Sequence, residues 1–477
     1  MTRSGIVQAD LAAWLEGLAL AAIDDADLVA GRFLRHCRRS AAALRRARSA
    51  RLDRVLAVDR RELALALQPV AETGLVRRAA LAHPDGALAL LWGRAHGLAA
   101  GDDDAARALV ARMAAEALDD ACGELFAEGF RRRARWLIAP GEPYPPVAAD
   151  LVRVFGKQLI THPSARGDDD VDRTPRLALA PDSGGLEVEI NFEHLHLLQA
   201  PAADSVLAVI LPIAEPTSEL TWDQVAAPVR SFFHVRPRQP DVVMARATQL
   251  LDEAARRGAD IAILPELSLD AAGLDHLRAH LRARGWPFRL VCAGSVHTTI
   301  DGHPRNAATL ILPGGHEIQH HKFNPFSSPL VGEEAIATTP ARIGLHVAAD
   351  DRGRPGWSYT LLICKDLLSR FARDVLAELR PGLVLVPAWS GKTIAFELDI
   401  HGLLSATQSA VVLANQVDLA EAAEASVVVM GRPTRVDTVA IVRRNEANPP
   451  QCLAFRLNDG RRLDRDDAVP EATEPDS

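Results

Sequence analysis

Val206-Leu207-Ala208-Val209-Ile210-Leu211 is an unbroken apolar run, the pattern of a strand covered on both faces. Downstream, residues 241–257 place Val243, Ala247, Leu250, Leu251 and Ala254 on one helical stripe, and Gly258 supplies the stop. Ile261-Ala262-Ile263-Leu264 then reads as a second buried strand. The same order returns further on, with a strand at 359–363, a helix over about 366–379, and a strand at Leu383-Val384-Leu385-Val386. Strand, helix, strand with continuous apolar strands predicts an α/β fold.

Outward from that core the character changes. Residues 1–146 are rich in Ala, Leu and Arg, with apolar positions recurring at three and four, as in Leu34, Cys37, Ala41 and Leu44. They predict a mainly α-helical domain that ends in the breaker Pro140-Gly141-Glu142-Pro143-Tyr144-Pro145-Pro146. Residues 147–203 read as a mixed linker region in which Leu186 to Leu198 alternates as a strand would. The α/β domain is expected over 204–462, and the acidic, Pro-containing residues 463–477 as a disordered tail.

Composition narrows the function classes. The 477 residues are 48% hydrophobic and 24% charged, which fits globular domains and excludes collagen-like or wholly disordered chains. A net charge of −8 argues against a generally basic binder of nucleic acid or anionic membrane. No apolar stretch reaches the ~18 residues of a membrane span. Nor do the first residues, with Gln8, Asp10 and Glu16, read as a signal peptide. The cysteines at 37, 122, 292, 364 and 452 show neither disulfide-framework nor metal-ligand spacing. These features predict a soluble, cytoplasmic protein. Only four of the 54 basic residues are lysine (Lys157, Lys322, Lys365, Lys392), so each lysine draws notice.

Three reactive side chains stand just past the ends of strand-like segments, the edge at which open α/β sheets bind ligands. Glu266 follows Ile261 to Pro265. Lys322 follows the strand Ala308–Leu312, the turn Gly314-Gly315 and a returning Glu317–His320. Cys364 follows Tyr359–Ile363 at a strand-to-helix junction. There, unpaired N–H groups and the helix dipole would favour thiolate and stabilise an oxyanion. A nucleophilic cysteine also needs a base and a cation, which Glu266 and Lys322 would supply. Singly, each has a bland reading: a core thiol, a helix cap, a surface charge.

Together the segments resemble the nitrilase, or carbon–nitrogen hydrolase, superfamily with its Glu-Lys-Cys triad. The resemblance rests on Gly258–Glu266, on Asn306-Ala307-Ala308 through Gly315 to His321-Lys322-Phe323, on Leu362-Ile363-Cys364-Lys365-Asp366 continuing to Pro387-Ala388-Trp389, and on Val411–Gln416. It covers residues 204–460 and implies a four-layer αββα sandwich. It further implies Cys364 as nucleophile, Glu266 as general base, Lys322 as cationic stabiliser, and the Lys365 backbone N–H as a second oxyanion donor. A second glutamate is expected between the lysine and the cysteine. Glu333 is favoured over Glu334, because Pro340 resembles the family's downstream turn at the matching distance. The implied reaction is hydrolysis of a small non-peptide amide, nitrile or carbamoyl group through a cysteine thioester, with no cofactor, in subunits that pair as homo-oligomers. Departures fall after the cysteine, where Leu367-Leu368-Ser369-Arg370-Phe371-Ala372 stands in place of the family's Arg-Phe-Pro. They leave the substrate branch open.

Lys365 and Trp389 are candidate substrate contacts, alongside Glu334. Asp366 reads as a helix cap. His194-x-His196 and His320-His321 lack partners at ligand spacing, so no metal site is expected. The alternative to an enzyme is a non-catalytic sensor or interaction protein with the same domain. In either case the helical region is a candidate contact for a protein partner. Nucleic acid, through the arginines of 35–54, comes last.

Overall fold

The computed structural model describes residues 135–138 and 185–463, with breaks at 203, 226–231, 329–331, 350–354, 408, 419–423, 433–437, 448 and 458–459. Two compact units divide the chain, residues 1–157 with 166–182 and residues 158–165 with 183–477. The helices expected over 1–146 and the acidic tail beyond 463 lie outside the described residues. Of the first unit only β1 (Arg135–Ile138) is described, a strand in a region expected to be helical.

The second unit opens with β2 (Glu187–Asn191), β3 (Val206–Leu211), the single turn α1 (Pro216–Glu219), β4 (Leu220–Val225) and β5 (Phe232–Pro237). Helix α2 (Pro240–Arg256), β6 (Ala259–Ile263), α3 (Ala271–Ala283), β7 (Leu290–Ile300), β8 (His303–Ile311) and β9 (Glu317–His321) follow. Next come the short strands β10 (Ser327–Ser328) and β11 (Gly332–Glu334), then β12 (Arg342–Ala349) and β13 (Pro355–Leu361). Helix α4 (Arg370–Leu379), β14 (Leu383–Trp389), α5 (Ile394–Thr407), β15 (Ala410–Gln416) and β16 (Ser426–Arg432) lead to β17 (Thr438–Arg443), β18 (Gln451–Arg456) and β19 (Arg462–Leu463).

Two mixed sheets carry the unit. One runs β19-β18-β3-β6-β7-β8-β9, with β3, β6 and β7 parallel. The other includes the order β2-β12-β13-β14-β15-β16-β17, with β13, β14 and β15 parallel. They touch through β14 with β7, β15 with β3 and β12 with β9, while α2 and α3 lie against the first sheet and α5 against β15 and β16. That is an α/β fold. Double coverage explains the apolar runs: in β3, Ala208 and Ile210 join Val243, Ala247 and Leu251 of α2 in one core cluster, while Leu207 and Val209 are equally inaccessible. Gly431 of β16 lets α5 approach, since a Cβ there would meet Ile400 at 2.5 Å.

Three local readings change. Residues 187–191 of the expected linker are a strand of the second sheet, paired in parallel with β12, and 192–198 leave it as turns. Cys364–Asp366 is a 3₁₀ turn, and the α-helix begins only at Arg370, capped by Ser369 Oγ accepting from Ala372 N. Asp366 caps the start of this 3₁₀ turn rather than the α-helix, its carboxylate accepting from the Ile363 amide.

Candidate functional site

Each motif delivers its side chain through a distinct local device. Glu266 sits in a tight turn after β6, with Leu267 at φ 57°. The turn fits only because Gly294 of β7 has no side chain: a Cβ there would stand 2.1 Å from the Pro265 carbonyl oxygen. Gln416 Nε2 donates to the Glu266 carbonyl at 2.6 Å, and the Trp389 amide donates to Glu266 Oε2 at 3.0 Å. Lys322 ends the β8–β9 hairpin, its amide donating to the Asn306 carbonyl. Cys364 adopts φ 48°, a left-handed conformation that costs a non-glycine residue about 1–2 kcal/mol and is held here by its surroundings.

Asp366 joins two of these devices. Its Oδ1 accepts from the amides of Phe323 and Asn324 (3.2 and 2.9 Å), and its Oδ2 from the Ile363 amide (3.3 Å) and His320 Nε2 (3.1 Å). Asn324 Nδ2 adds a bond to the Lys365 carbonyl at 2.8 Å. The lysine loop and the cysteine turn are therefore bolted to one buried carboxylate.

The result is a compact polar cluster in an apolar interior. Lys322 Nζ lies 2.7 Å from Glu266 Oε1 and 2.7 Å from Glu334 Oε2. Asn306 Nδ2 bridges the same two carboxylates, at 2.9 Å to Glu266 and 2.6 Å to Glu334. The Phe326 amide donates to Glu334 Oε2 at 2.8 Å. His297 completes the set: its Nδ1 accepts from the Val235 amide at 2.8 Å, which leaves Nε2–H to donate to Glu334 Oε1 at 2.9 Å. The Cys364 thiol points at the Trp389 carbonyl, 3.8 Å away, on the residue whose amide holds Glu266. Relative exposures of 2% for Glu266, 1% for Lys322, 2% for Glu334 and 2% for Cys364 place all four groups out of bulk water.

Burial and charge set their protonation. Burial raises Glu266, the Lys322 charge opposes it and the Glu334 charge adds to it, so the carboxyl stays above its ordinary range. Burial alone would lower Lys322, but Glu266 and Glu334 outweigh it and hold the ammonium charged. For Glu334 the desolvation is overcome by Lys322 and His297, and this carboxylate is held well below its usual range. The Cys364 thiol is pushed up by burial and by Glu266, with Lys322 opposing. The helix-dipole argument for a resting thiolate thus does not hold here: no α-helix starts at Cys364, and desolvation dominates.

The structure brings Glu266, Lys322 and Cys364 together in this cluster. The glutamate against Lys322 is Glu334, not Glu333, because neighbours on β11 face opposite sides, Glu333 being half-buried and Glu334 buried. Lys365 Nζ donates to the Pro325 carbonyl at 3.0 Å, so its side chain is spent on the loop. Trp389 contributes its backbone to the cluster, while its ring lies against Trp222, centroids 4.9 Å apart. Sequence reasoning missed Asn306, which stands inside a quoted motif, and His297, for which the sequence carries no signal. Among the described residues no group of three His, Cys, Asp or Glu side chains is placed to hold a metal ion, and no helix is long and apolar enough to cross a membrane.

These features define a buried carboxylate–ammonium–thiol site at the strand ends of an α/β fold. No family model and no curated protein matches the sequence. Solved structures similar to part of the chain include a mutant of the Nesterenkonia AN1 amidase from the nitrilase superfamily, at 15% identity and TM-score 0.38, covering 55% of this chain and 94% of that one. Another is a mutant of the Nesterenkonia sp. AN1 amidase with the acetamide moiety of fluoroacetamide added covalently at its active-site cysteine (16% identity, TM-score 0.37, 58% and 96% covered). A third is a double mutant of that amidase in complex with acrylamide (15% identity, TM-score 0.38, 55% and 94% covered).

Proposed function

We propose that the domain over 204–462 is a four-layer αββα hydrolase of the nitrilase type, acting on a small non-peptide carbon–nitrogen bond with Cys364 as nucleophile. The observation that carries this reading is Lys322 Nζ at 2.7 Å from each of two buried carboxylates, with Trp389 holding Glu266 through its amide and facing the Cys364 sulfur through its carbonyl. A raised Glu266 carboxyl is a base matched to a thiol that is itself neutral at rest.

On an amide the steps balance as follows. Glu266 takes the thiol proton as sulfur bonds to the carbonyl carbon. Lys322 and the Lys365 backbone N–H stabilise the tetrahedral oxyanion. The C–N bond breaks as Glu266 returns the proton to the departing amine, leaving a thioester. Glu266 then takes a proton from water, which attacks the thioester. The acid leaves, and the proton returns to sulfur. Glu334 keeps Lys322 charged throughout, and His297 and Asn306 hold Glu334 in place. No cofactor is required by this chemistry.

A second reading, a sensor that binds a metabolite without turnover, draws on the burial of Cys364 and the upward displacement of its thiol. Intact-mass analysis of the full chain after exposure to amides, carbamoyl compounds and nitriles, beside Cys364→Ala, separates the two. Acyl adducts on the native chain alone support the hydrolase, and their absence across the panel overturns it. Pairing of subunits and a protein partner for residues 1–146 remain part of the proposal, and light scattering on the purified full chain reads the first.

A further inference from the structure

Four aromatic rings form an arc beside the cluster. Trp389 meets Trp222 (centroids 4.9 Å), Trp222 meets Phe233 (4.8 Å), and Phe233 meets Phe326 edge-on (6.3 Å). Both ends of the arc are tied to the reacting groups through the backbone. The Trp389 amide holds Glu266 and the Trp389 carbonyl faces the Cys364 sulfur, while the Phe326 amide holds Glu334. Phe233 stands opposite Glu334 across the β5–β11 ladder. Phe233 is buried, but Trp222, Phe326 and Trp389 are only partly so.

Charge points the same way. The two lysines at the cysteine are both engaged, Lys322 by Glu266 and Glu334 and Lys365 by the Pro325 carbonyl. An acyl group bearing a carboxylate would meet two buried carboxylates and no uncommitted ammonium, an expensive arrangement away from water. A neutral apolar acyl group would meet ring faces, which bury large area with favourable edge and offset contacts.

We infer that the Trp222–Phe233–Phe326–Trp389 arc is the wall of the acyl pocket, and that the substrates are amides or nitriles whose acyl part is neutral, apolar and flat, of the arylacetyl class. The inference rests on the hydrolase reading for turnover, while binding to the arc stands apart from it. The test uses the full chain with phenylacetamide, acetamide and succinamate. Calorimetric binding of phenylacetamide to Cys364→Ala is measured beside turnover by the native chain. The expected result is phenylacetamide favoured over acetamide in kcat/KM by at least about tenfold, with succinamate the poorest. Trp222→Ala is expected to weaken phenylacetamide binding by about tenfold or more, and Trp222→Phe, which keeps the wall filled, by a smaller factor. Binding that depends on Trp222 without any acylation sustains the wall and overturns the hydrolase. Cys364-dependent turnover that favours acetamide or succinamate overturns the wall and leaves the hydrolase standing. Phenylacetamide binding indifferent to both Trp222 variants also overturns the wall.

Discussion

Replacing Glu334 by Gln tests the electrostatic centre of the site. Its two oxygens accept from four donors: Lys322 Nζ and the Phe326 amide on Oε2, His297 Nε2 and Asn306 Nδ2 on Oε1. A glutamine offers one carbonyl and one NH2, so whichever way it turns, two donors face another donor inside a residue only 2% exposed. Lys322 also loses one of the two charges that keep it an ammonium. Breaking one side of a buried ion pair costs about 3–5 kcal/mol. The lower end of that range corresponds to about a hundredfold in kcat/KM if it falls on the transition state. Glu333→Gln, one position along the strand and not against Lys322, should reduce kcat/KM far less. Urea unfolding of both variants reads the stability, and hydrolysis of the best amide reads the rate. Equal effects of the two substitutions, or a silent Glu334→Gln, would refute the placement of the second carboxylate.

Other consequences are smaller in scope. Gly294→Ala puts a Cβ 2.1 Å from the Pro265 oxygen at φ 70°, and should destabilise by about 2–4 kcal/mol and dislodge Glu266; a loss in urea melts below about 1 kcal/mol would contradict the close approach. His321 is lowered to about 4 by burial, with His320, Arg305 and Arg342 adding to it. Because the folded ring resists protonation while the unfolded one accepts it at the ordinary 6.5, its contribution is present above pH 6.5 and is lost as pH falls toward 4. His321→Gln should flatten the stability profile over that interval, by about 2 kcal/mol in all. In the proposed mechanism Glu266 acts deprotonated, so kcat/KM should fall on acidification with a midpoint above the ordinary 4.5 of a glutamate. A midpoint at or below 4.5 would remove Glu266 from the role of base.

How much of this was legible in sequence varies with the kind of interaction. The buried strands were, because a strand covered on both faces needs apolar residues at every position, and β3 and β14 have them. Glu266 and Cys364 stood out because each follows a buried apolar strand at a turn, and Lys322 because it closes a hairpin returning from one in a chain with few lysines. The choice between Glu333 and Glu334 was not. A three-residue strand carries no periodicity that tells its faces apart, and the partner that decides it, β5, lies about a hundred residues earlier in the chain. The protonation state of Cys364 was misjudged for a similar reason. A dipole argument needs only local sequence, whereas desolvation depends on what the rest of the chain lays over the sulfur. His297 was invisible because its partners are a backbone amide on one strand and a carboxylate on another.

The Asp366 carboxylate has a consequence for anyone who would re-engineer this scaffold. Because it binds the amides that follow Lys322 and the amide that precedes Cys364, the two segments behave as one interchangeable cassette rather than two. Transplanting the lysine hairpin and the residues after it without the matching cysteine turn would strand the two amides that bind this carboxylate across the segments, so chimeras should be cut outside both segments.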